Sequence, residues 1–574
     1  MRLRALPLLC LALLLSGLAW SLAGLRATLP TGDEATPVMI VQSLWYDQDL
    51  VYAEADLRRA ERIWDGGPAG LTLFTNDGGK TPRYGRPLAY PLAALPFYGI
   101  LGLRGIALFN MALFLAMAGA ALWHLSEENN GVAGLFAGGF FLASAAFAYA
   151  FRLEPDVFVM TCVFFPLLIW QRLRRLPEER NHLAALAGAG VLLGLVLVQS
   201  PLVALLGLPI LADLAWRRRW RGLAAVAAAG LLAAGGLALL QKGVTGEWTA
   251  FGGVQRRTFE AAFPLQSPGD LWQGYRGETP AGAASDLAAG LRLLPRNLLY
   301  VFAGRYTGLL PYLPFGLFAL ILYLLGPKDR SRHLLMAALG AYVFAVLLVH
   351  PHGFAGGPGF LGSRYLVAVY PAFLFLPGRL TVRRSLAIPF AAAGLWTAVA
   401  VIHPLHTSAA SFQRLPLELT LLPGNRLPGF VTRTWGDALW IVPRRNFFAE
   451  ENHPNGVWVR GATRSEVIVV SPVPLSRLTF TVHSLAADNE LRVDTGEDRL
   501  RVRFDTEGKR AGTPVELRLA PAARNLGFFP SAPRERVYRL TLETTTGLVP
   551  ARVDRNSSDP RDLGVFLDFT GQGF

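Results

Sequence analysis

The sequence predicts a polytopic α-helical membrane protein with an all-β domain at its C-terminal end. Of its 574 residues, 52% are hydrophobic and only 17% are charged, and long apolar runs recur up to Ile402. Short arginine-rich segments separate several of these runs, as in the cytoplasmic loops of membrane proteins. After His403 the pattern changes to short runs with alternating polarity, which are typical of β-strands.

We expect the first transmembrane helix at residues 5–25 and interpret it as an uncleaved signal anchor, with the N-terminus in the cytoplasm. A short interfacial or re-entrant helix is expected at 89–103, where Pro91, Pro96 and Gly99 interrupt the pattern. Further spans are expected at residues 105–122, 132–151, 157–170, 183–199, 202–216, 223–240, 308–325, 334–349, 365–376 and 386–402. The total is about eleven transmembrane helices.

The distribution of basic residues agrees with this count. Four short basic loops, at residues 171–182, 217–221, 328–333 and 379–384, fall on the cytoplasmic side. The other side receives two long loops, at about 26–88 and 241–307, a tight hairpin at 152–156, and the segment 350–364. The formal net charge of +14 is therefore interpreted as topogenic, and nucleic-acid binding is disfavoured.

The remaining chain is expected to form a linker and a domain. Residues 403–445 carry Pro and Gly and are interpreted as the linker, which leaves 1–402 as the transmembrane domain and 446–574 as a β-sandwich. Strands are expected at residues 456–460, 466–470, 477–482, 490–494, 500–505, 515–519, 537–543 and 563–569. An odd number of spans places the sandwich outside the cytoplasm.

Two acidic motifs are the candidate chemistry of the chain. Asp33 and Glu34 follow the first apolar run, and Glu154 and Asp156 lie in the hairpin, so all four are expected on one membrane face. Simpler interpretations exist for both motifs. Asp33 would cap an amphipathic helix that follows it, and the hairpin acids would be polar because a hairpin tip is wet.

Several motifs resemble those of the GT-C superfamily of membrane glycosyltransferases. Gly32-Asp33-Glu34 resembles the catalytic motif in the first external loop of that superfamily, which includes the protein O-mannosyltransferases and aminoarabinose transferases. The segments 40–44 and 47–50, Tyr84-Gly85-Arg86-Pro87-Leu88, and the glycine-rich run 356–365 also fit. The resemblance covers residues 1–402 and implies transfer of a sugar from a polyprenyl-phosphate donor to a hydroxyl on the external face, usually with inversion.

The resemblance also implies roles for single residues. Asp33 would be the general base and Glu34 would shape the site or bind the acceptor, with Glu154 and Asp156 as a second acidic element. Guanidinium groups suit a lipid phosphate, and the candidates are Arg364 first, then Lys80, Arg83, Arg86 and Arg305. A divalent ion is an open question, with Asp33, Glu154, Asp156, His350 and His352 as possible ligands.

Two other functions fit the sequence. A secondary transporter or lipid-glycan flippase would use intramembrane acids to relay protons or bind ions. A non-catalytic cell-envelope assembly protein would use its β-domain to bind glycan. Interfacial arginines also bind anionic headgroups without catalysis, which is the alternative for each phosphate-binding candidate. Cys10 and Cys162 both lie in apolar segments, so neither a disulfide framework nor a thiolate metal site is indicated.

Overall fold

The structure is a computed structural model that describes residues 34–62, 71–77, 80–128, 133–174, 182–250, 255–259, 283–304, 307–327, 329–351, 354, 361–378, 433–435, 439–449, 456–471, 474–504, 512–519, 536–553 and 561–569. The chain divides into two compact units, Met1–Ser411 and Phe412–Phe574. The helices expected at residues 5–25 and 386–402 lie outside the described residues.

The first unit is helical. Its helices are α1 Ala35–Tyr46, α2 Glu54–Glu61, α3 Ala89–Leu101, α4 Leu103–Glu128, α5 Ala133–Leu142, α6 Ala146–Tyr149, α7 Asp156–Leu173, α8 Leu183–Gln199, α9 Leu208–Trp216, α10 Trp220–Thr245, α11 Ala283–Ala303, α12 Leu309–Tyr312, α13 Pro314–Leu325, α14 Arg330–Val349 and α15 Arg364–Phe373. A 3₁₀ helix, Pro201–Gly207, precedes α9.

Within the described residues, four helices are long and apolar enough to cross a membrane: α4, α7, α10 and α14. Helix α10 is the most exposed of them, since only 11% of its apolar window is buried. Leu231, Leu232 and Leu239 expose 69%, 76% and 62% of their surface. Such a continuous apolar surface suits lipid rather than water. The chain is therefore an integral membrane protein.

Three expected spans are interrupted. The span expected at 132–151 breaks between α5 and α6, where the Ala145 N–H donates to the Tyr312 carbonyl at 2.7 Å. The span expected at 308–325 breaks at that same Tyr312, before Pro314 opens α13. In the third, at 202–216, Pro209 stands in the first turn of α9 after the 3₁₀ helix. Proline has no backbone N–H to continue the hydrogen bonds of the preceding helical turn. A hydropathy pattern does not show this interruption.

Helices α8 and α10 pack closely through glycines. An added Cβ at Gly190 would lie 2.3 Å from the Val226 carbonyl oxygen, and one at Gly194 would lie 2.3 Å from the Gly230 carbonyl oxygen. Gly190 and Gly194 are four residues apart and so lie on one face of α8. Small residues at this spacing let two membrane helices approach backbone to backbone.

The two long loops meet in a small antiparallel sheet. Its strands are β1 Leu71–Thr75, β2 Arg83–Tyr84 and β3 Gln255–Phe259, in the order β2-β1-β3. Strands from the two long loops, one at residues 71–75 and one at 255–259, are thus paired directly. Helix α11 was not expected, because its polar and apolar residues alternate at helical spacing without a continuous apolar run.

The second unit contains two antiparallel sheets. Its strands are β4 Arg433–Trp435, β5 Leu439–Arg445, β6 Phe447–Ala449, β7 Gly456–Arg460, β8 Arg464–Ser471, β9 Arg477–Ser484, β10 Asn489–Asp494, β11 Arg499–Phe504, β12 Thr513–Arg518, β13 Arg536–Thr544 and β14 Leu563–Asp568. A short helix, α16 Pro550–Val553, precedes β14.

One sheet has the strand order β11-β10-β13-β8-β5-β4 and the other β12-β9-β14-β7-β6. Buried residues from both sheets form one hydrophobic cluster, including Val469 and Leu540 from the first and Phe480 and Leu567 from the second. The C-terminal β-sheets are as predicted, and all eight expected strands are present. Strands β4 and β5 fall within the expected linker, so the sheets begin earlier than residue 446.

We expect Gly190→Leu to destabilise the helical unit, because its side chain would overlap the α10 backbone, and overpacking costs about 1–3 kcal/mol. The matched control is Gly188→Leu on the same helix, where an added Cβ has no neighbour within 4 Å. Thermal unfolding in detergent micelles should show a lower melting temperature for the first variant only. Equal melting temperatures would contradict the close helix contact.

Candidate active site

The acidic hairpin at residues 152–156, which connects α6 to α7, is buried in the protein. Arg152, Glu154 and Asp156 expose only 7%, 3% and 4% of their surface. The interpretation of a wet hairpin tip is therefore wrong. Burial of three charged side chains is unfavourable unless each one is paired. The partners of these three side chains therefore determine the chemistry that the hairpin can support.

Asn110 on α4 holds the backbone of the hairpin. Its Nδ2 lies 2.7 Å from the Arg152 carbonyl oxygen and 3.1 Å from that of Glu154, and also 3.0 Å from the Tyr90 hydroxyl. Asn110 is fully buried. Asn110 is not among the site residues predicted from the sequence. The sequence does show that Asn110 is a single amide in an otherwise apolar span. A polar side chain in a membrane helix is unfavourable unless it has hydrogen-bond partners.

The first acidic motif reaches the second through Glu34. The Leu153 N–H in the hairpin donates to Oε1 of Glu34 at 3.3 Å. Glu34 stands at the N-cap position of α1 but makes no side-chain cap bond, so capping does not explain it. Helix α1 is buried on all faces from Ala35 to Ser43, and the expectation of an amphipathic helix is wrong. Asp33 lies outside the described residues.

Arg364, the first phosphate-binding candidate, pairs with the hairpin. Its Nε donates to Oδ1 of Asp156 at 2.9 Å. Arg364 opens helix α15, and Ser363 caps that helix by accepting the Leu366 N–H at 3.4 Å. The Ser363 hydroxyl also donates to the Phe354 carbonyl at 2.9 Å. The guanidinium is therefore held by a capped helix on one side and a buried carboxylate on the other.

The hairpin keeps two carboxylate oxygens without a hydrogen-bond partner among the described residues. They are Oε2 of Glu154 and Oδ2 of Asp156, and both are buried. The other oxygen of Glu154 lies 3.4 Å from Nη1 of Arg152. Burial raises the pKa of Glu154 well above its ordinary value; Arg152 opposes this shift, while Asp156 and Glu34 add to it. Such a carboxyl group can hold a proton and donate or accept a hydrogen bond.

The other basic candidates lie on or next to the three-stranded sheet. Arg83 belongs to β2, with Lys80 before it and Arg86 after it. The sheet is attached to α1, since the Thr72 N–H donates to the Thr36 hydroxyl at 2.9 Å. Arg305 lies outside the described residues.

A metal site gains no support from the described part of the chain, which holds no group of three or more His, Cys, Asp or Glu placed to bind an ion. The ring of His350 stacks on Tyr365, with centroids 5.3 Å apart. Two of the five possible ligands, Asp33 and His352, lie outside the described residues.

Comparison with known proteins gives weak similarity to solved structures. No family model matches the sequence, and no curated protein matches it. The apo crystal structure of ArnT from Cupriavidus metallidurans is 17% identical with a TM-score of 0.38, over 67% of this chain and 59% of that chain. The same protein bound to undecaprenyl phosphate is 17% identical with a TM-score of 0.36, over 73% and 66%.

The arabinosyltransferase EmbB from Mycobacterium smegmatis is 12% identical with a TM-score of 0.25, over 97% of this chain and 64% of that chain. This chain spans 59% of the apo ArnT chain.

We expect Glu154→Gln to change how stability depends on pH. Because the pKa of Glu154 is raised in the folded protein, the folded state keeps a proton that the unfolded state loses above about pH 4.3. The contribution of Glu154 to the free energy of unfolding therefore falls as the pH rises from about 4.3 to the pKa of Glu154 in the folded protein. Gln carries no proton to lose.

Thermal unfolding between about pH 4 and 9 should show wild type losing stability relative to Glu154→Gln as the pH rises. Glu54→Gln, at a side chain 65% exposed, is the matched control and should follow wild type. If Glu154→Gln also follows wild type, the raised pKa is contradicted.

Proposed function

We propose that this protein is an integral-membrane glycosyltransferase that moves a sugar from a polyprenyl-phosphate donor to a hydroxyl acceptor on the extracytoplasmic face. One observation supports this most strongly. Contacts through Leu153 and Asp156 join Glu34 and Arg364 to a single buried hairpin. A carboxylate base and a phosphate-binding cation, which the reaction needs together, would then act at one place.

Asp33 is proposed as the general base. It would take the proton of the acceptor hydroxyl as the oxygen attacks the anomeric carbon, while the bond from that carbon to the phosphate oxygen breaks. The phosphate leaves with the bonding electrons, and attack from the opposite face inverts the configuration. Glu34, next in the chain, would shape the site or bind the acceptor.

Arg364 is proposed to bind the leaving phosphate. A guanidinium has five N–H donors in a fixed plane, and Asp156 accepts the one on Nε. This bond would orient the remaining edge for bidentate contact with phosphate oxygens. Lys80, Arg83, Arg86 and Arg305 are proposed as secondary contacts in the external loops. The donor lipid would lie along the apolar helices.

Glu154 is proposed to bind the acceptor through its second oxygen, which has no partner within the described residues. A carboxyl group with a raised pKa can donate a hydrogen bond to one hydroxyl oxygen as well as accept from another. This would position the attacking hydroxyl and would not require Glu154 to carry the reacting proton.

We also propose the orientation of the chain. The basic loops that begin at residues 171, 217 and 328 would lie in the cytoplasm with the N-terminus, and the β unit would lie outside, as the charge rule indicates. The cell or inner membrane is the proposed location. The membrane lipid, the sugar donor and a lipid, glycan or protein acceptor are then its partners.

A second candidate is a proton-coupled transporter. The observation that favours it is the burial of Glu154 with a raised pKa, because transporters relay protons through such buried acids. The two functions differ in their products, since a transporter leaves the sugar–phosphate bond intact.

We expect Asp33→Asn to abolish sugar transfer. Purified protein is incubated with a panel of polyprenyl-phosphate sugars, and released undecaprenyl phosphate, the ligand in one ArnT structure, is measured. Loss of the base should slow release by about a hundredfold or more. The control is Asp488→Asn in the β unit, an exposed residue at φ 56°, a conformation that Asn tolerates.

Release at the wild-type rate by Asp33→Asn would contradict the role of Asp33. If no donor is consumed but wild-type protein takes up an intact substrate with protons, the transporter is correct instead.

A further inference from the structure

A polar cavity lies at the other end of helix α7 from the candidate active site. Its volume is about 220 Å³, and it is lined by His124, Leu125, Gln171, Arg174, Arg217, Asp329, Arg332, Leu374, Phe375 and Pro377. Helix α7 has Asp156 at its first residue and Gln171 near its last. The 15 residue steps from Asp156 to Gln171 separate the two places by about 23 Å along the helix.

Three separate basic loops converge on this cavity. Arg174 follows α7, Arg217 follows α9, and Arg332 lies in the first turn of α14. Orientation in the membrane requires only that such loops share one side. It does not require their guanidinium groups to line one cavity, where like charges repel. Their convergence therefore needs another explanation.

Buried Asp213 on α9 orients two of the three guanidinium groups. Its Oδ1 accepts from Nε of Arg217 at 3.1 Å, and its Oδ2 lies 3.2 Å from Nε of Arg174. Oδ2 also accepts from the indole Nε1 of Trp170 at 3.0 Å. Asp213 is 1% exposed. Asp213 thus accepts two hydrogen bonds and forms an ion pair with Arg174, so it holds Arg174 and Arg217 in place but balances only one of their two charges.

The third guanidinium is held from the backbone side. Nη1 of Arg332 donates to the Pro327 carbonyl at 2.7 Å, and its backbone N–H donates to Oδ1 of Asp329 at 2.9 Å. Asp329 is also 3.9 Å from Nη1 of Arg174. Among the described residues, three arginines thus face two carboxylates around the cavity, a balance of one positive charge.

An unused donor also lines the cavity. Gln171 is only 8% exposed, and its buried Nε2 has no hydrogen-bond partner among the described residues. A buried amide N–H without an acceptor is unfavourable, because it has lost its hydrogen bond to water. The missing partner is an acceptor, and the net charge favours one that is anionic.

We propose that this cavity binds a phosphate ester or phosphate ion through Arg174, Arg217, Arg332 and Gln171. Planar guanidinium groups match the oxygens of phosphate, which can accept from several donors at once. The volume suits a headgroup rather than a whole lipid. Leu374, Phe375 and Pro377 give the cavity an apolar wall beside which an acyl chain can lie. The site is distinct from the candidate active site and does not depend on the proposed function.

The test uses the full-length protein in phosphate-free detergent, with inorganic phosphate and short-chain phosphatidylglycerol as separate probes. Arg332→Gln should weaken binding by about tenfold, because one charge-assisted hydrogen bond is lost. The matched control is Arg330→Gln, two residues away on the same helix. Arg330 lies over the Trp216 ring at 3.4 Å and does not line the cavity.

Gln171→Met is a second variant that keeps the size of the side chain and every charge. It should weaken binding several-fold without lowering the melting temperature, because it removes an unsatisfied buried donor. Binding of phosphatidylglycerol that both variants weaken supports a lipid ligand, and binding of inorganic phosphate alone supports a free ion. Absence of binding by both probes, or equal loss in Arg330→Gln and Arg332→Gln, would overturn the proposal.

Discussion

The ion pair between buried Asp156 and partly buried Arg364 is the interaction on which the helical unit depends. It joins the first residues of α7 and α15, which are 208 positions apart in the chain. The negative charge of Asp156 is stabilised by the positive, N-terminal end of the α7 dipole. The positive charge of Arg364 is destabilised by the N-terminal end of the α15 dipole. The ion pair with Asp156 compensates for the unfavourable position of Arg364. Removing either partner would leave a buried charge unpaired, which costs several kcal/mol.

The same constraint explains the rest of the hairpin. With Asp156 fixed, the chain from 152 to 156 must satisfy its backbone inside the protein, and Asn110 and Glu34 supply the partners. Glu34 brings the start of α1 to this point, and the hydrogen bond between Thr72 and Thr36 attaches the sheet of the two long loops as well. The polar contacts of the hairpin thereby position α1, α4, α15 and the three-stranded sheet relative to α7.

The sequence predicted what depends on local pattern. Helix α8 begins and ends as expected at 183 and 199, and the strands that alternate, such as β9, were found from their period of two. Interruptions at Ala145 and Tyr312 were missed because they arise from one hydrogen bond between distant segments. Asn110 and the burial of the hairpin were missed for the same reason. Hydropathy shows that a polar residue is present, but tertiary contacts decide whether water or protein surrounds it.

A double-mutant cycle on Asp156→Asn and Arg364→Gln tests the central claim most directly. The free energy of unfolding is measured for wild type, both single variants and the pair. If the two side chains form one buried unit, the effects are not additive, and the coupling is about 0.5–3 kcal/mol, with the double variant less destabilised than the sum of the singles. Additive effects would contradict the account, because Asp156 and Arg364 would then not share a site.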